Sequence, residues 1–178
     1  MGVPYVPVLG LVGTDLLKRR DDMVVAPDPF GSGTVSVVAK SMRPDVALFH
    51  ADKADRHGNV SCGYAIEAVV LSEASKHVIV TAEEIVDRLA EKDAVGTYIP
   101  SILVDTVVHA PFGSHPAGMV GRYPVDKIDM GRYVVAARDD DSFREYLQTH
   151  VFDVESHAHY LERFVPREWR TGARSAAA

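Results

Sequence analysis

The sequence of 178 residues has little cysteine and no cluster of basic residues. Its single cysteine, Cys62, cannot form an internal disulfide or a CxxC metal or redox site, and so few thiols are typical of a reducing compartment. With 19 Lys and Arg against 25 Asp and Glu, the net charge is −6, whereas phosphate recognition needs clustered basic side chains. We therefore expect a cytoplasmic protein with no nucleic-acid partner.

Long hydrophobic runs are also missing. Proline and glycine interrupt the apolar N-terminus, which lacks the basic region of a secretory signal, so we expect neither a signal peptide nor a membrane partner. The composition, 47% hydrophobic and 25% charged, is that of an average globular domain. A chain of this mass buries roughly 70% of its unfolded surface on folding, which is enough for one core.

Three short apolar runs predict strands of a parallel sheet. They cover residues 45–51, 77–81 and 102–109, and their length and polar boundaries are typical of fully buried strands. A β-branched run at residues 34–39 follows turn-forming residues at positions 28–33.

Two helical patterns separate these strands. Residues 65–76 place apolar side chains on one broad helical face, and residues 82–90 return to helical spacing. The apolar face of the first contains Ile66, Val69, Val70, Leu71 and Ala74. Strands that alternate with helices in this way indicate βαβ units and an open α/β fold.

The C-terminal third predicts one β-like segment and two helices. Residues 133–137 are β-like, and a helix is expected to open at Ser142, because Glu145 three residues later completes a capping box. A second helix should run from about Ser156 until Pro166 ends it.

Most catalytic motifs are absent. Without GxGxxG, GxxxxGK[ST], GxSxG or HExxH, the chain lacks the usual signatures of nicotinamide dehydrogenases, P-loop NTPases, α/β-hydrolases and zincins. Among the eight histidines, His150, His157 and His159 are close in sequence, but two positions apart on a helix point to different sides. We therefore predict solvated helix histidines and no metal site.

The other candidate reactive side chains have structural explanations. Cys62 has no activating cation in the neighbouring apolar segment, which favours a small buried residue over a nucleophile. Glu83 and Glu84 would open the second predicted helix, where the helix dipole stabilises carboxylates. The alternative is that one of them faces a cleft. The acidic run at residues 139–141 is explained in the same way as a helix start.

Two polar loops form the predicted binding site. Residues 51–59 and 111–116 directly follow predicted strands, at the edge where ligands bind to open parallel sheets. A purely turn-forming role stays open for either loop. The candidate substrate- or CoA-binding residues are Asp52, Asp55, Asn59, Gly113, Ser114 and His115.

Read in order, the motifs resemble the α subunit of class I coenzyme A transferases, and most of all the A-type subunits of the glutaconate CoA-transferase group. That resemblance implies a Rossmann-like open, mostly parallel sheet with flanking helices and further C-terminal helices. It covers nearly the whole chain. The motifs are PDVALFHA at 44–51, AD at 54–55, GNV at 58–60, VTAEEIV at 80–86, VD at 104–105 and APFGSHP at 110–116, with GL at 10–11, GTDL at 13–16, VFD at 151–153 and YL at 160–161.

The resemblance also implies a reaction. In the family, a glutamate that belongs to the β chain attacks an acyl-CoA, becomes a glutamyl-CoA thioester and passes CoA to an acceptor carboxylate. The α subunit supplies groups of the substrate pocket. This chain is therefore expected to contain no catalytic nucleophile and no tightly bound cofactor, to use coenzyme A as a substrate with a dicarboxylic or keto acid, and to act in a hetero-oligomer with a β-type partner.

The resemblance starts in the middle of the family domain. Family α subunits carry a further N-terminal section with a Gly-Gly loop near the active site, and nothing in this sequence corresponds to it. We expect residues 1–170 to be the C-terminal part of one α-type domain, followed by a flexible tail at residues 171–178. The further section is expected on another polypeptide or upstream of this start.

Three other functions are weighed against CoA transfer. The chain could belong to a CoA-ester hydrolase or a ring- or carbon–carbon-cleaving enzyme of catabolism, which a partner without the glutamate would indicate. It could also be a non-catalytic fragment that only binds a partner. A sugar-phosphate isomerase on the related fold is disfavoured, because the candidate loops have no basic phosphate cluster.

Overall fold

The computed structural model describes residues 3–171. They form a small antiparallel sheet, a larger mixed sheet and a group of C-terminal helices. The predicted tail lies outside the described residues apart from Thr171. No helix within the described range is long and apolar enough to cross a membrane.

The small sheet contains β1 (Tyr5–Val8), β2 (Met23–Pro27) and β3 (Val35–Lys40), with β3 in the centre. Both pairings are antiparallel. The predicted turn before β3 is confirmed, because the Asp28 carboxylate accepts hydrogen bonds from the Phe30 and Ser32 amides, as an acidic side chain does in such turns.

The larger sheet contains β4 (Val46–Asp55), β5 (Val60–Ser61), β6 (His77–Val86), β7 (Tyr98–Ile99) and β8 (Thr106–His109), in the order β7-β5-β4-β6-β8. The longest strands, β4 and β6, pair in parallel, as do β6 and β8, while the two-residue strands pair antiparallel. The predicted open α/β sheet is confirmed, and it is mixed.

Strand β6 extends well beyond its predicted end. The helix predicted at residues 82–90 is wrong, because β6 continues beside β4 until Asp55 meets Val86. Short apolar stretches fit both helical and strand spacing, and pairing with β4 decides between them. The strand predicted at residues 102–109 also starts later, at Thr106, since a 3-10 turn occupies Ser101–Leu103.

The crossover from β4 to β6 contains α1 (Glu67–Ala74), which confirms the first predicted helix. Its predicted buried face is wrong in part, because Ile66 and Val70 are exposed while Ala68 and Ser72 are buried. Ile66 precedes the helix. The small side chains at positions 68 and 72 are the ones buried, and the Ser72 hydroxyl donates to the Ala68 carbonyl at 2.7 Å.

The C-terminal part contains α2 (Lys127–Ala136), α3 (Asp140–Leu147), α4 (His157–Phe164) and α5 (Arg167–Arg170). The β-like segment predicted at residues 133–137 is wrong, because it lies almost entirely in α2. That helix is fixed from its start, where the Asp126 carboxylate accepts from two backbone amides.

Side-chain caps set the starts of the last long helices. Helix α3 starts earlier than predicted, since the Asp139 carboxylate, and not Ser142, is the cap and accepts from the Ser142 amide at 2.9 Å. An acidic role at this helix start was predicted. The start of α4 is confirmed, because Ser156 caps it through the His159 amide.

The core lies on one face of the larger sheet, where small β4 and β6 side chains pack together with α1. Ala47 and Ala51 are buried, but Leu48, on the opposite face, is 66% exposed, so the prediction of a fully buried β4 is only half correct. Cys62 is buried as predicted, and burial raises the pKa of its thiol to about 12.

Candidate functional site

The polar ends of β4 and β6 meet the segment after β8 at one edge of the larger sheet. His50 lies opposite Thr81 in the parallel register, so Glu83, two residues further along β6, is on the same face as His50. His50 Nε2 is 2.7 Å from Glu83 Oε1, and His50 Nδ1 is 2.8 Å from the Thr81 hydroxyl. Parallel sheets bind ligands at this edge.

Glu83 is the centre of a hydrogen-bond network that we call the Glu83 cluster, defined as His50, Glu83, Phe112, Ser114 and Tyr123. The Tyr123 hydroxyl donates to Glu83 Oε1 at 2.5 Å, and the Phe112 amide donates to Oε2 at 2.8 Å. The Ser114 amide in turn donates to the Tyr123 hydroxyl at 3.0 Å. The cluster thus ties the segment after β8 to the sheet.

The charge state of Glu83 follows from these contacts. Burial alone would raise its pKa, but the hydrogen bonds from His50, Tyr123 and the Phe112 amide outweigh burial and hold the pKa of this carboxyl below its usual range. Burial and the Glu83 charge raise the pKa of Tyr123. Glu83 is therefore an anion, and His50 Nε2 and the Tyr123 hydroxyl are its donors.

A second set of ionic contacts lies beside the cluster. Arg122 Nε donates to Asp52 Oδ1 at 2.6 Å, and the same guanidinium donates to Glu84 Oε2 at 2.9 Å. The Arg122 contact lowers the pKa of Glu84. Asp52, a predicted binding residue, thus lies in β4 and is paired with Arg122.

Two other predicted binding residues shape the turn between β4 and β5. Asp55 is completely buried, and its carboxylate accepts four hydrogen bonds, from the amides of His57, Asn59 and Leu89 and from the Asn59 side chain. The Asn59 side-chain carbonyl accepts from the Tyr98 hydroxyl and the Ser101 amide. These contacts suit the turn-forming alternative, and none of them involves the Glu83 cluster.

The other three predicted residues follow β8. The Gly113 amide donates to the Ala110 carbonyl, the Ser114 amide to Tyr123, and the His115 amide to the Phe112 carbonyl. These amides are therefore engaged within the chain. The His115 imidazole is buried, with Nδ1 2.9 Å from the Tyr160 hydroxyl and Nε2 3.3 Å from Asp126.

Aromatic rings from the C-terminal helices pack over this segment. Trp169 in α5 is the sole tryptophan of the sequence, and its ring centroid lies 6.3 Å from those of both His115 and Tyr123. Tyr160 meets His115 edge-on at 5.7 Å. Helices α4 and α5 therefore help to hold the 112–123 segment in place.

The histidine prediction fails at one position. His150 is not solvated, because its ring stacks between Tyr146 at 3.9 Å and Phe164 at 4.3 Å. The two rings come from α3 and α4, which the sequence could not place together. His157 is exposed and bonds to the Pro111 carbonyl at 2.8 Å. Among residues 3–171, no group of three or more His, Cys, Asp or Glu side chains could hold a metal ion.

Sequence reasoning missed His50, Tyr123 and Arg122. It also placed Glu83 in a helix, whereas Glu83 is buried within β6, close to the stated alternative of a glutamate facing a cleft. One signal could have found it. In the segment VTAEEIV, Thr81 and Glu83 occupy one strand face, and small Ala82 falls on the other.

Gly113 has no room for a side chain. A Cβ atom there would lie 2.5 Å from His50 Cε1 and 2.9 Å from the Ala110 carbonyl oxygen. We expect Gly113→Ala to lower the free energy of unfolding by about 2 kcal/mol, because overpacking forces neighbours to move. Urea unfolding measures this change.

The matched control is Gly131→Ala in α2, where a Cβ would meet nothing within 4 Å. Alanine in an open helix position should stabilise by about 0.5–1 kcal/mol. Equal effects of the two substitutions would contradict the steric role of Gly113.

The stability should depend on acid. The folded-state pKa values of Glu83, Asp55 and Asp126 are all lowered, so their contributions are complete above their unfolded pKa values and are lost as the pH falls through the folded ones. We expect Tm to fall progressively below about pH 5. A Glu83→Gln variant should show a shallower decline, and an identical slope would exclude Glu83 as a source.

An open α/β sheet with a polar site at the carboxyl ends of its parallel strands defines a ligand-binding or enzyme domain. Residues 1–110 match the coenzyme A transferase family. The chain belongs to this family, and within it to the α-subunit type, to which the A-type subunits among its relatives correspond.

The relatives agree with that assignment. The chain is 31% identical over 180 residues to the A-type subunit of glutaconate CoA-transferase from Acidaminococcus fermentans, covering 92% of this chain and 56% of that one. It is 34% identical over 154 residues to the A-type subunit of 3-oxoadipate CoA-transferase from Pseudomonas knackmussii, covering 84% and 53%. The chain thus spans about half the length of these relatives.

Solved structures give the same fold. The crystal structure of glutaconate coenzyme A-transferase from Acidaminococcus fermentans matches with a TM-score of 0.79 and 29% identity, over 90% of this chain and 56% of that one. A variant of the decarboxylase AibA/AibB matches with a TM-score of 0.67 and 32% identity, over 83% and 53%.

Proposed function

We propose that this chain is the α-type component of a CoA-transferase that moves CoA between an acyl-CoA and a carboxylic acid, with a dicarboxylic or keto acid as the favoured partner substrate. Its relatives named glutaconate and 3-oxoadipate CoA-transferase support this assignment. Coenzyme A is then a substrate, and no tightly bound cofactor is needed.

The observation that carries the division of labour is the state of Glu83. Its carboxylate already accepts three hydrogen bonds inside the protein, and burial keeps the Cys62 thiol protonated by raising its pKa. Neither group is suited to attack a thioester. The nucleophilic glutamate is therefore assigned to a β-type partner in a hetero-oligomer.

The proposed reaction needs no further reactant. The partner glutamate attacks the thioester carbonyl, the carbon–sulfur bond breaks, and CoA leaves as a thiolate from an acyl-glutamyl anhydride. The thiolate then attacks the glutamyl carbonyl and releases the first carboxylate, leaving glutamyl-CoA. The acceptor carboxylate repeats these steps in reverse.

Within this reaction, the candidate residues have different roles. The 113–115 segment is proposed to face the substrate, with the Ser114 hydroxyl as hydrogen-bond donor to the thioester or carboxylate oxygen. Asp52 is proposed to act through Arg122. Asp55 and Asn59 are proposed to maintain the shape of the neighbouring turn.

The test is to co-express the chain with a β-type partner and to incubate the complex with a panel of short-chain and dicarboxylic acyl-CoA esters. We expect a partner chain heavier by one CoA, detected by intact mass, and transfer of CoA to an added acid. A partner whose glutamate is replaced is the control. No adduct and no transfer with any ester would refute the proposal.

Ser114→Ala in the same complex should lower turnover at least about tenfold, which corresponds to losing about 1.4 kcal/mol of transition-state stabilisation. His115→Ala should do the same, but because His115 is buried, its Tm must be measured alongside. Unchanged kinetics of Ser114→Ala in a folded complex would remove the residue from the site.

One relative favours a second candidate. The decarboxylase AibA/AibB has the same fold at 32% identity, so chemistry other than transfer occurs on it. The chain could instead serve a CoA-ester hydrolase or a ring- or carbon–carbon-cleaving enzyme. A complex that consumes acyl-CoA without forming the partner adduct would indicate this function, and CoA binding without any turnover would indicate a non-catalytic fragment.

The proposed location is the cytoplasm. The single, buried cysteine is consistent with a reducing compartment, and acyl-CoA exchange is a reaction of soluble metabolites. Detection of the chain in a fractionated cell extract tests this location.

A further inference from the structure

We propose that Glu83 is a positioning residue, whose carboxylate fixes the 112–114 segment against the sheet edge and thereby holds the Ser114 side chain toward the substrate. The consequence for turnover rests on the proposed function. The ordering of the segment does not, because it concerns contacts within this chain alone.

Glu83 reaches the segment by two separate routes. Its Oε2 accepts directly from the Phe112 amide at 2.8 Å. Its Oε1 accepts from the Tyr123 hydroxyl, which itself accepts from the Ser114 amide at 3.0 Å. The residues on both sides of Gly113 are thus tied to one carboxylate, 29 residues earlier in the chain than Phe112.

The backbone of Phe112 shows what this attachment does. Its φ is +59°, in the left-handed region that residues with a side chain adopt only when their surroundings hold them there. Hydrogen bonds to an ionised acceptor are among the strongest in proteins. The bond from the Phe112 amide to Glu83 therefore stabilises a conformation that a free loop would leave.

His50 supports the segment from below. The imidazole donates to Glu83 at 2.7 Å and lies directly against Gly113, where it leaves no space for a Cβ atom. Both residues are largely shielded, with side-chain exposures of 13% for His50 and 6% for Glu83. Glu83 thus sets the position of the surface on which the segment rests as well as the segment itself.

Glu84 is the natural control, because it is adjacent and acidic but bonded differently. Its carboxylate pairs with Arg122 at 2.9 Å and Lys53 at 3.6 Å, and 44% of its side chain is exposed. The Phe112 and Ser114 amides donate to Glu83 and Tyr123 instead. A general loss of negative charge at this edge would affect both glutamates, whereas the proposed role belongs to Glu83.

Two substitutions release the segment at different points. In Glu83→Gln, an amide oxygen at the Oε1 position can still accept from His50 and Tyr123, so its NH₂ group must face the Phe112 amide, and that bond is lost. Tyr123→Phe removes the oxygen that joins Ser114 to Glu83. Neither change creates a large cavity, and Tm verifies that each variant is folded.

The first measurement is hydrogen exchange by mass spectrometry on residues 110–116 in the complex with the β-type partner. We expect at least about tenfold faster exchange in Glu83→Gln and Tyr123→Phe than in wild type, and no change in Glu84→Gln, since a lost amide bond of about 1.4 kcal/mol corresponds to tenfold in opening. Equal exchange in all four proteins would overturn the proposal.

The second measurement separates kcat from KM. If Glu83 holds Ser114 for transition-state stabilisation, both variants should lower kcat at least about tenfold while the KM for the acyl-CoA changes less than about threefold. Faster exchange with unchanged kcat would refute the link to turnover. A wild-type complex without activity would refute the proposed function, and the exchange experiment would still decide whether Glu83 orders the segment.

Discussion

Replacing Glu83 with alanine should lower the free energy of unfolding by about 3–5 kcal/mol, the usual cost of removing one partner of a buried ionic contact. The substitution leaves His50 Nε2, the Tyr123 hydroxyl and the Phe112 amide without their acceptor in a region that water barely reaches. Each unsatisfied buried donor costs about 1–3 kcal/mol. Urea unfolding followed by circular dichroism measures the loss.

The control for this prediction is Glu84→Ala. Its carboxylate is half exposed, and its partners Arg122 and Lys53 remain accessible to water, so the loss should stay below about 1 kcal/mol. Because whole domains have only about 5–15 kcal/mol of stability, the two variants should differ visibly in their urea midpoints. Similar midpoints would mean that Glu83 is not structurally central.

Asp55→Ala should cost about 3–4 kcal/mol, for a different reason. The buried carboxylate accepts four hydrogen bonds and joins the turn after β4 to the Leu89 amide, 34 residues away. Removing it leaves several buried N–H groups unpaired at once, each worth about 1–3 kcal/mol, with partial relief as the turn opens to water. The expected sign is a lower urea midpoint with little change in m.

Two variants calibrate the Asp55 prediction. Asp55→Asn should lose less, because its amide oxygen can replace only one of the two carboxylate oxygens. Asp87→Ala should leave Tm unchanged, since that side chain is 95% exposed and its contact with Arg56 is 3.6 Å long. If Asp55→Ala were as mild as Asp87→Ala, the turn would not depend on its carboxylate.

Elements with strong local signals were predictable from the sequence. Strands β4 and β6 and helix α1 follow from short apolar runs and a change of period, and the Ser156 cap follows from local chemistry. Residues 82–90 were not predictable in this way, because their apolar spacing fits a helix or a strand. Pairing with β4, a non-local contact, extends β6 as far as Val86.

The site was predictable in location but not in composition. Polar loops after parallel strands indicate the binding edge, and the sequence placed Gly113 and Ser114 there. It could not show that Tyr123 reaches back 40 residues to Glu83, or that Arg122 reaches back 70 residues to Asp52. Such contacts depend on how the C-terminal part folds over the sheet, which no local pattern records.

The position of Trp169 gives the protein a built-in optical reporter. As the sole tryptophan, it supplies all of the indole fluorescence, and it stacks beside Tyr123 and faces His115. Excitation at the red edge of the tyrosine band would therefore yield an emission spectrum that depends on this one neighbourhood. Movement of the 112–123 segment, whether caused by a ligand, a partner or a substitution, becomes visible in a cuvette without any label.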